Sequence, residues 1–285
     1  QVDAEIICAD SRTIYRYFDI GTAKPSKAEQ GGIPHHLIDF VEPEVEFTAA
    51  KFKDMAELLI SEISGRDKLP IVCGRTGFYS RALLEGLSMP DVPPQQELRD
   101  QFEREADENG NLYLHDKLKN LDPQTANRLM VNDRFRVIRA LEVCISTGKT
   151  FSSLAGKHEE TYETLWIGLN FRDRDKLREI LKLRLAEQMK QGMLEEVQNL
   201  YARYGRSQRI MKTVNYLDLV RFIDGEMNLE EAVAEAERRN YQLARRQMMW
   251  FKTNPQINWH YVDETPREKI EVDVLDQVRS FLRPS

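Results

Sequence analysis

Apolar and polar positions along the chain change period several times, and each change predicts an element. Residues 4–9, Ala-Glu-Ile-Ile-Cys-Ala, form a short apolar run that reads as a buried strand. A second apolar patch, Leu37 to Phe40, follows Pro34-His35-His36. Phe52, Met55, Leu59 and Ile63 recur at helical spacing, so a helix is expected over about 49–64, with Thr48 as its N-cap. Leu69 to Cys73 is the next strand, closed by Gly74-Arg75-Thr76-Gly77, and a helix then carries Tyr79 to Leu87. Strand, helix, strand, helix in short units predicts a parallel α/β sheet.

Pro90, Pro93 and Pro94 break this alternation. From 95 to about 155 only helical periods occur: Gln95–Asn109, Leu112–Leu121, Pro123–Met130 and Asp133–Thr147. A helical insertion is therefore expected over 93–155, with 1–92 and 156–285 forming an α/β core and its C-terminal helices. Leu165 to Phe171 returns to strand and is expected to join the earlier strands in one parallel sheet. Helices follow over 173–190, 193–204, about 213–223 and 228–252, the last opened by Asn228 and Glu231 at capping-box spacing. The polar C-terminal stretch is expected to fray.

Composition narrows the class. A chain of 285 residues supports one large domain or two modest ones. Hydrophobic residues at 41% and charged residues at 31% are ordinary for a globular protein. The net charge is −6, so a polyanionic partner would be met by local basic clusters rather than by the overall charge. Cys8, Cys73 and Cys144 show no CxxC spacing, and reduced structural thiols in a cytosolic protein are expected. No apolar run approaches the ~18 residues of a membrane span. No signal-peptide core is present. The chain opens at Gln1 and reads at once into a strand, so the natural protein is expected to continue upstream. A monomer is expected.

Several stretches carry chemistry. Asp10-Ser11-Arg12 follows a predicted strand at its carboxyl end, the edge where open α/β sheets bind ligands. An acid there accepts a proton, holds a metal-bound water, or caps a turn, and spacing alone leaves these open. Gly74-Arg75-Thr76-Gly77 repeats the arrangement. It is either a plain turn or a place where glycines admit a phosphate and Thr76 donates a hydroxyl. Arg134, Arg136 and Arg139 fall within six residues, the last two spaced i, i+3 on one helix face. Arg238, Arg239, Arg245, Arg246 and Lys252 are interleaved with Tyr241, Trp250 and Phe251, a mixture suited to a phosphate backbone. The basic group from Arg172 to Arg184 also holds Asp173, Asp175 and Glu179 and reads as a solvated face. The five His are scattered, with no HExxH and no Cys/His cluster, so no structural zinc is expected.

Taken in order, ADSRxxYRxFDIGTAKPS, PHHLIDFVEP, GxTGFYxRALLEGL, NDRxRVIRALEV, GLNFRDRDKL and ARRQxxWF resemble the tRNA dimethylallyltransferases (tRNA isopentenyltransferases), from about Ala4 to about Tyr261. The resemblance implies a P-loop-kinase-like parallel-sheet core of nucleotide- and ATP-binding type. It also implies a helical insertion that grips the anticodon stem-loop of tRNA. The implied reaction moves a dimethylallyl group from dimethylallyl diphosphate to the exocyclic amine of the adenine 3′-adjacent to the anticodon, with Mg²⁺. Asp10 would be the general base, with Thr76 and Gly77 beside the substrate base and phosphates. Ser11, Arg12 and Thr13 would hold the flipped base and nearby backbone, with Gly74 admitting the substrate. Arg136 and Arg139 would contact tRNA, and Arg246 and Gln247 would line the channel.

The chain departs from the family pattern in places. A GxTxxGK[ST] phosphate loop, which the resemblance implies ahead of Ala4, does not occur in these residues, and no metal ligand is expected within them. Thr13 stands where Gln is usual, Arg75 where glycine is usual, and Leu217 where a cation is usual. Three readings follow. The first is an active tRNA prenyltransferase, the second a degenerate or inactive relative that keeps the fold, with or without tRNA binding, and the third a prenyltransferase of free adenine nucleotide. The helical insertion argues against the third, because a nucleotide needs no anticodon grip.

Overall fold

The computed structural model describes residues 2–87, 90, 92–156 and 162–283. They form two compact units, 1–80 with 163–285, and 81–162. In the first, β1 (Ala4–Cys8) lies between β2 (His35–His36) and β3 (Leu69–Cys73), all parallel. Ile6 faces Ile71 and Cys8 faces Cys73 across β1 and β3. A central parallel strand is covered on both sides, which is why its run is nearly all apolar. Ile7 and Ala9 are fully buried. β2 forms just before the predicted patch: Leu37 and Asp39 take φ of 57° and 55°, turning the chain out of the sheet. Leu37 and Val41 then spend their apolar surface on the core. Helix α1 (Ala49–Ser64) crosses back to β3. The Thr48 hydroxyl caps it by accepting from Lys51 N–H at 3.2 Å.

Helix α2 (Gly77–Leu84) leads to the second unit, whose named elements among the described residues are all helices. It contains α3 (Gln96–Asn109), α4 (Asn111–Leu121), α5 (Pro123–Arg128), α6 (Arg134–Thr147) and α7 (Phe151–Leu154). Gly110, with φ of 86°, ends α3 and starts α4 in one residue. Phe102, Leu114, Leu118, Ala126 and Leu141 form the core. Glu142 is fully buried among them and is held by Arg99 at 2.7 and 3.0 Å, by the Gln95 N–H and by Arg139. Burial raises its pKa, and these bonds more than offset that, leaving it lowered.

The chain then returns to the first unit through β4 (Ile167–Asn170), α8 (Arg174–Lys190), α9 (Met193–Tyr204), α10 (Gln208–Met211), α11 (Tyr216–Ile223), α12 (Leu229–Phe251), β5 (Asn258–Tyr261) and α13 (Arg267–Phe281). The core here joins Ile14, Tyr15 and Phe18, from the segment after β1, to Leu185, Val197, Tyr216, Leu219 and Ala236 from the helices. The Asn228/Glu231 capping box forms as expected.

Three expectations are corrected. First, β4 pairs in parallel with β5 as a separate two-stranded sheet, not with β1–β3. The Trp259 ring and Ile257 lie against Gly168, where a Cβ would come within 2.6 and 2.7 Å of them, so β5 is seated on β4 by that glycine. Second, the helix expected over about 213–223 starts only at Tyr216, because Asn215 before it takes φ of 77° and accepts from Asn240 Nδ2 at 2.7 Å. Third, the C-terminal stretch folds as α13, anchored by the buried Ile270.

One acid sits inside β1. Glu5 lies 2.7 Å from His36 Nε2, 2.8 Å from Arg66 and 3.2 Å from Lys68. These bonds, that to His36 first, lower its pKa from 4.5 to about 2. The fold thus favours the charged form. Glu5 stabilises fully above pH 4.5, and the contribution is lost as pH falls toward 2. Thermal melts of wild type and Glu5→Gln should differ by a constant margin near neutral pH, and that margin should vanish over the same acid window. A margin independent of pH would contradict the assignment.

Candidate active site

The site is built where β1 and β3 end side by side. Ala9 N–H donates to Cys73 O at 2.8 Å, and Thr76 N–H donates to Ala9 O at 3.1 Å. Gly74 is pressed against this crossing: a Cβ there would lie 2.1 Å from Ala9 O and 2.3 Å from its carbonyl carbon. The glycine is therefore required by backbone against backbone. The space a side chain would take, expected to admit a phosphate, is filled by Ala9. Ser11 N–H donates to Thr76 Oγ1 at 2.9 Å, and the Thr76 hydroxyl donates to Ser11 Oγ at 3.2 Å. Thr76 thus ties the two strand ends together.

Asp10 is 7% exposed. Its Oδ1 accepts from Arg12 N–H at 2.9 Å and its Oδ2 from Arg75 Nε at 2.8 Å. Arg75 also donates to Thr22 O at 3.0 Å. Arg12 donates to Lys212 O at 3.1 Å, and desolvation lowers its pKa. Thr13 is buried, and its carbonyl accepts from Asp39 N–H at 2.9 Å. Lys24 is bound to Tyr15 O at 2.7 Å, Asp39 at 2.7 Å and Asp19 at 2.6 Å, so it holds its own loop in place.

Two residues at this site carried no signal of their own in the sequence. Glu196, in the first turn of α9, accepts from the N–H groups of Asp19, Ile20 and Gly21 at 3.0, 2.7 and 3.0 Å, and from the Tyr216 hydroxyl. Gly21 is a glycine because the Tyr216 ring occupies its Cβ direction, with Cε1 at 1.9 Å. Arg184, on α8, has its pKa lowered by desolvation and then by the charge of Arg75. It makes no hydrogen bond or ion pair among the described residues. Its clue was position: it lies between Leu181 and Leu185, which face the core, within a segment otherwise read as a solvated face.

The other expected residues are more dispersed. Gly77 lies against Trp250, whose Cβ would be 3.3 Å from an added methyl, and Trp250 packs edge-on to Phe78 at 6.1 Å. Arg246 and Gln247 stand one helical turn before Trp250 and Phe251 on α12, so they share those faces. Arg245 and Arg246 are exposed and have no partner among the described residues. In the unit 81–162, Arg136 points outward, 60% exposed and paired to Asp133 at 2.8 Å. Arg139 turns inward to Glu142 and Val92 O, so its guanidinium serves the core of its own unit. No three His, Cys, Asp or Glu converge among the described residues. No helix among them is long and apolar enough to cross a membrane.

The IPP transferase family model matches residues 13–254. The chain belongs to that family. It is 40% identical to the tRNA dimethylallyltransferase of Caldanaerobacter subterraneus subsp. tengcongensis, over 92% of this chain and 85% of the relative. The crystal structure of the full-length tRNA isopentenylpyrophosphate transferase of Bacillus halodurans aligns with a TM-score of 0.72 at 32% identity, covering 98% of this chain and 88% of that one. A eukaryotic dimethylallyltransferase acting on tRNA aligns with a TM-score of 0.76, covering 99% of this chain and 74% of that one; at 22% identity it bears on the fold alone. The parallel sheet and helices described above are thus the IPP transferase fold.

If Gly74 is fixed by Ala9 rather than by a ligand, Gly74→Ala should destabilise the protein with no ligand present. Forced overpacking costs about 1–3 kcal/mol, a fall of several degrees in Tm. Gly77→Ala, facing only Trp250 and Phe251 side chains, should cost less than half as much. Equal melting temperatures for Gly74→Ala and wild type would refute the backbone explanation.

Proposed function

We propose that this protein transfers a dimethylallyl group from dimethylallyl diphosphate to the exocyclic amine of the adenine 3′-adjacent to the anticodon of tRNA. The observation that carries the reading is Asp10, a nearly buried carboxylate at the carboxyl end of β1, set beside the cations of Arg12 and Arg75. An exocyclic adenine amine is a weak nucleophile, because its lone pair is drawn into the ring. As the new C–N bond forms and the bond to diphosphate breaks, the amine proton becomes acidic and the leaving group gathers charge. A carboxylate accepts the former, and desolvated guanidinium groups balance the latter. The adenine must leave its stack to reach such a site. The enzyme reading is favoured over a fold-only relative, because a protein 40% identical over 92% of this chain is a tRNA dimethylallyltransferase.

Mg²⁺, expected from the resemblance, fits these residues poorly. No acidic cluster converges among the described residues, and the Asp10 carboxylate is engaged by Arg75 and by Arg12 N–H. The proton transfer proposed here needs only Asp10. The helical unit is read as the anticodon grip, with Arg136 facing outward, and the unpaired Arg245 and Arg246 are read as phosphate contacts. The three free cysteines suit a cytoplasmic, reducing compartment.

In single-turnover assays of transfer to tRNA, Asp10→Asn should lower the rate by about 10²–10⁴-fold, the scale of losing a general base. The amide keeps the shape and one acceptor oxygen, so tRNA affinity should barely change and the loss should fall on turnover. Equal rates for the two proteins would remove Asp10 from the chemistry. Affinity for an anticodon stem-loop should fall steeply with salt. Changing both Arg245 and Arg246 to Gln should make the log–log slope shallower by roughly 1.4–1.8, from ~0.7–0.9 per lost phosphate contact. An unchanged slope would take α12 out of the tRNA interface.

A further inference from the structure

The Arg75 guanidinium rests on the Asp10 carboxylate, and the charge of Arg184 reaches Arg75. Arg75 spends Nε on Asp10 at 2.8 Å and one Nη2 hydrogen on Thr22 O at 3.0 Å. A guanidinium carries five N–H donors, so the remaining donors of Arg75 are open to another acceptor, and its side chain is 41% exposed. Its root is rigid: Gly74 is pressed on Ala9, and Thr76 N–H is bound to Ala9 O. Only the head can turn, on breaking its bonds to Asp10 and Thr22 O. Arg184, an exposed residue of α8, has no partner among the described residues, and its charge reaches Arg75. Like charges held close together are unfavourable. Asp10 carries a single charge and pairs with only one of the two arginines, so a multiply charged anion matches the pair better than Asp10 does.

We propose that Arg75 is a diphosphate-binding residue of the donor site, which rests on Asp10 in the free protein and turns onto the donor's diphosphate when that binds, so that donor binding unmasks the base. The inference rests on the transferase reading above. A diphosphate presents more charge than a carboxylate and matches the planar fork of a guanidinium with two parallel bonds. Moving Arg75 from Asp10 to the diphosphate leaves Oδ2 free to accept the amine proton. It also places a cation where the leaving-group charge develops. The order follows from the geometry: Asp10 is a competent acceptor only once the donor is in place.

The test is calorimetric titration of the full chain with inorganic pyrophosphate at low salt, independent of any transfer assay. Arg75→Gln should weaken binding roughly tenfold or more, the scale of one charge-assisted contact. Arg75→Lys, keeping the charge, should recover part of the loss. Asp10→Asn, which releases Arg75, should tighten binding, and most of that gain should disappear when Arg75→Gln is also present. Unchanged affinity on Arg75→Gln in both backgrounds would show that Arg75 only braces Asp10, and no binding of pyrophosphate by wild type would equally overturn the proposal. A chain that binds pyrophosphate through Arg75 yet transfers nothing to tRNA would sink the transferase reading, and with it the donor role, while leaving the anion site at Arg75 standing.

Discussion

The site depends on how closely the main chain at Gly74 approaches Ala9 where β1 and β3 end. A parallel pair puts both strand ends on the same edge of the sheet, and two chains leaving that edge compete for space. Removing the side chain at 74 resolves the competition. Thr76 can then bond Ser11, Arg75 can reach Asp10, and the acid is fixed at the mouth of the sheet rather than waving in solvent. The whole arrangement spans a sequence separation of 65 residues, yet each link is a single short bond.

Around this crossing the protein uses charge in two ways. Carboxylates that stabilise the fold are saturated by donors: Glu196 by three loop amides and Tyr216, Glu142 by Arg99, Arg139 and the Gln95 amide. Arg75, on Asp10, and its neighbour Arg184 are left under-matched: Arg184 has no partner among the described residues, and Arg75 retains unused donors. Saturated acids rigidify the loops, and unsaturated cations await an anion. The Glu196 clamp holds Asp19–Gly21, the adjoining Thr22 carbonyl holds Arg75, and Arg75 holds Asp10, so a residue far along the chain orients the acid.

What was legible in the sequence followed from local regularity. β1, β3, α1, α6 and α12 carry uninterrupted periods or clear caps, and they form close to where the pattern puts them. β5 was not legible, because Asn-Trp-His-Tyr is no apolar run and its pairing with β4 is made by Trp259 lying on Gly168, a contact between distant segments. Asp10, Arg12 and Thr76 were visible as reactive types at strand ends. Their partners were not, since only the fold decides that Arg75 meets Asp10 or that Glu196 meets the loop after Phe18. Periodicity puts Arg139 on the face of Arg136, but the buried Glu142 draws its guanidinium inward. A buried acid three residues on outweighs helical spacing in deciding where a long side chain points.

The most direct measurement is mass analysis of the nucleosides from tRNA incubated with the protein, dimethylallyl diphosphate and Mg²⁺. The account predicts one adenosine per substrate tRNA, next to the anticodon, carrying a dimethylallyl group on its exocyclic amine, and none when the donor is omitted. Unmodified adenosine throughout, from protein shown to be folded and to bind both tRNA and pyrophosphate, would contradict it.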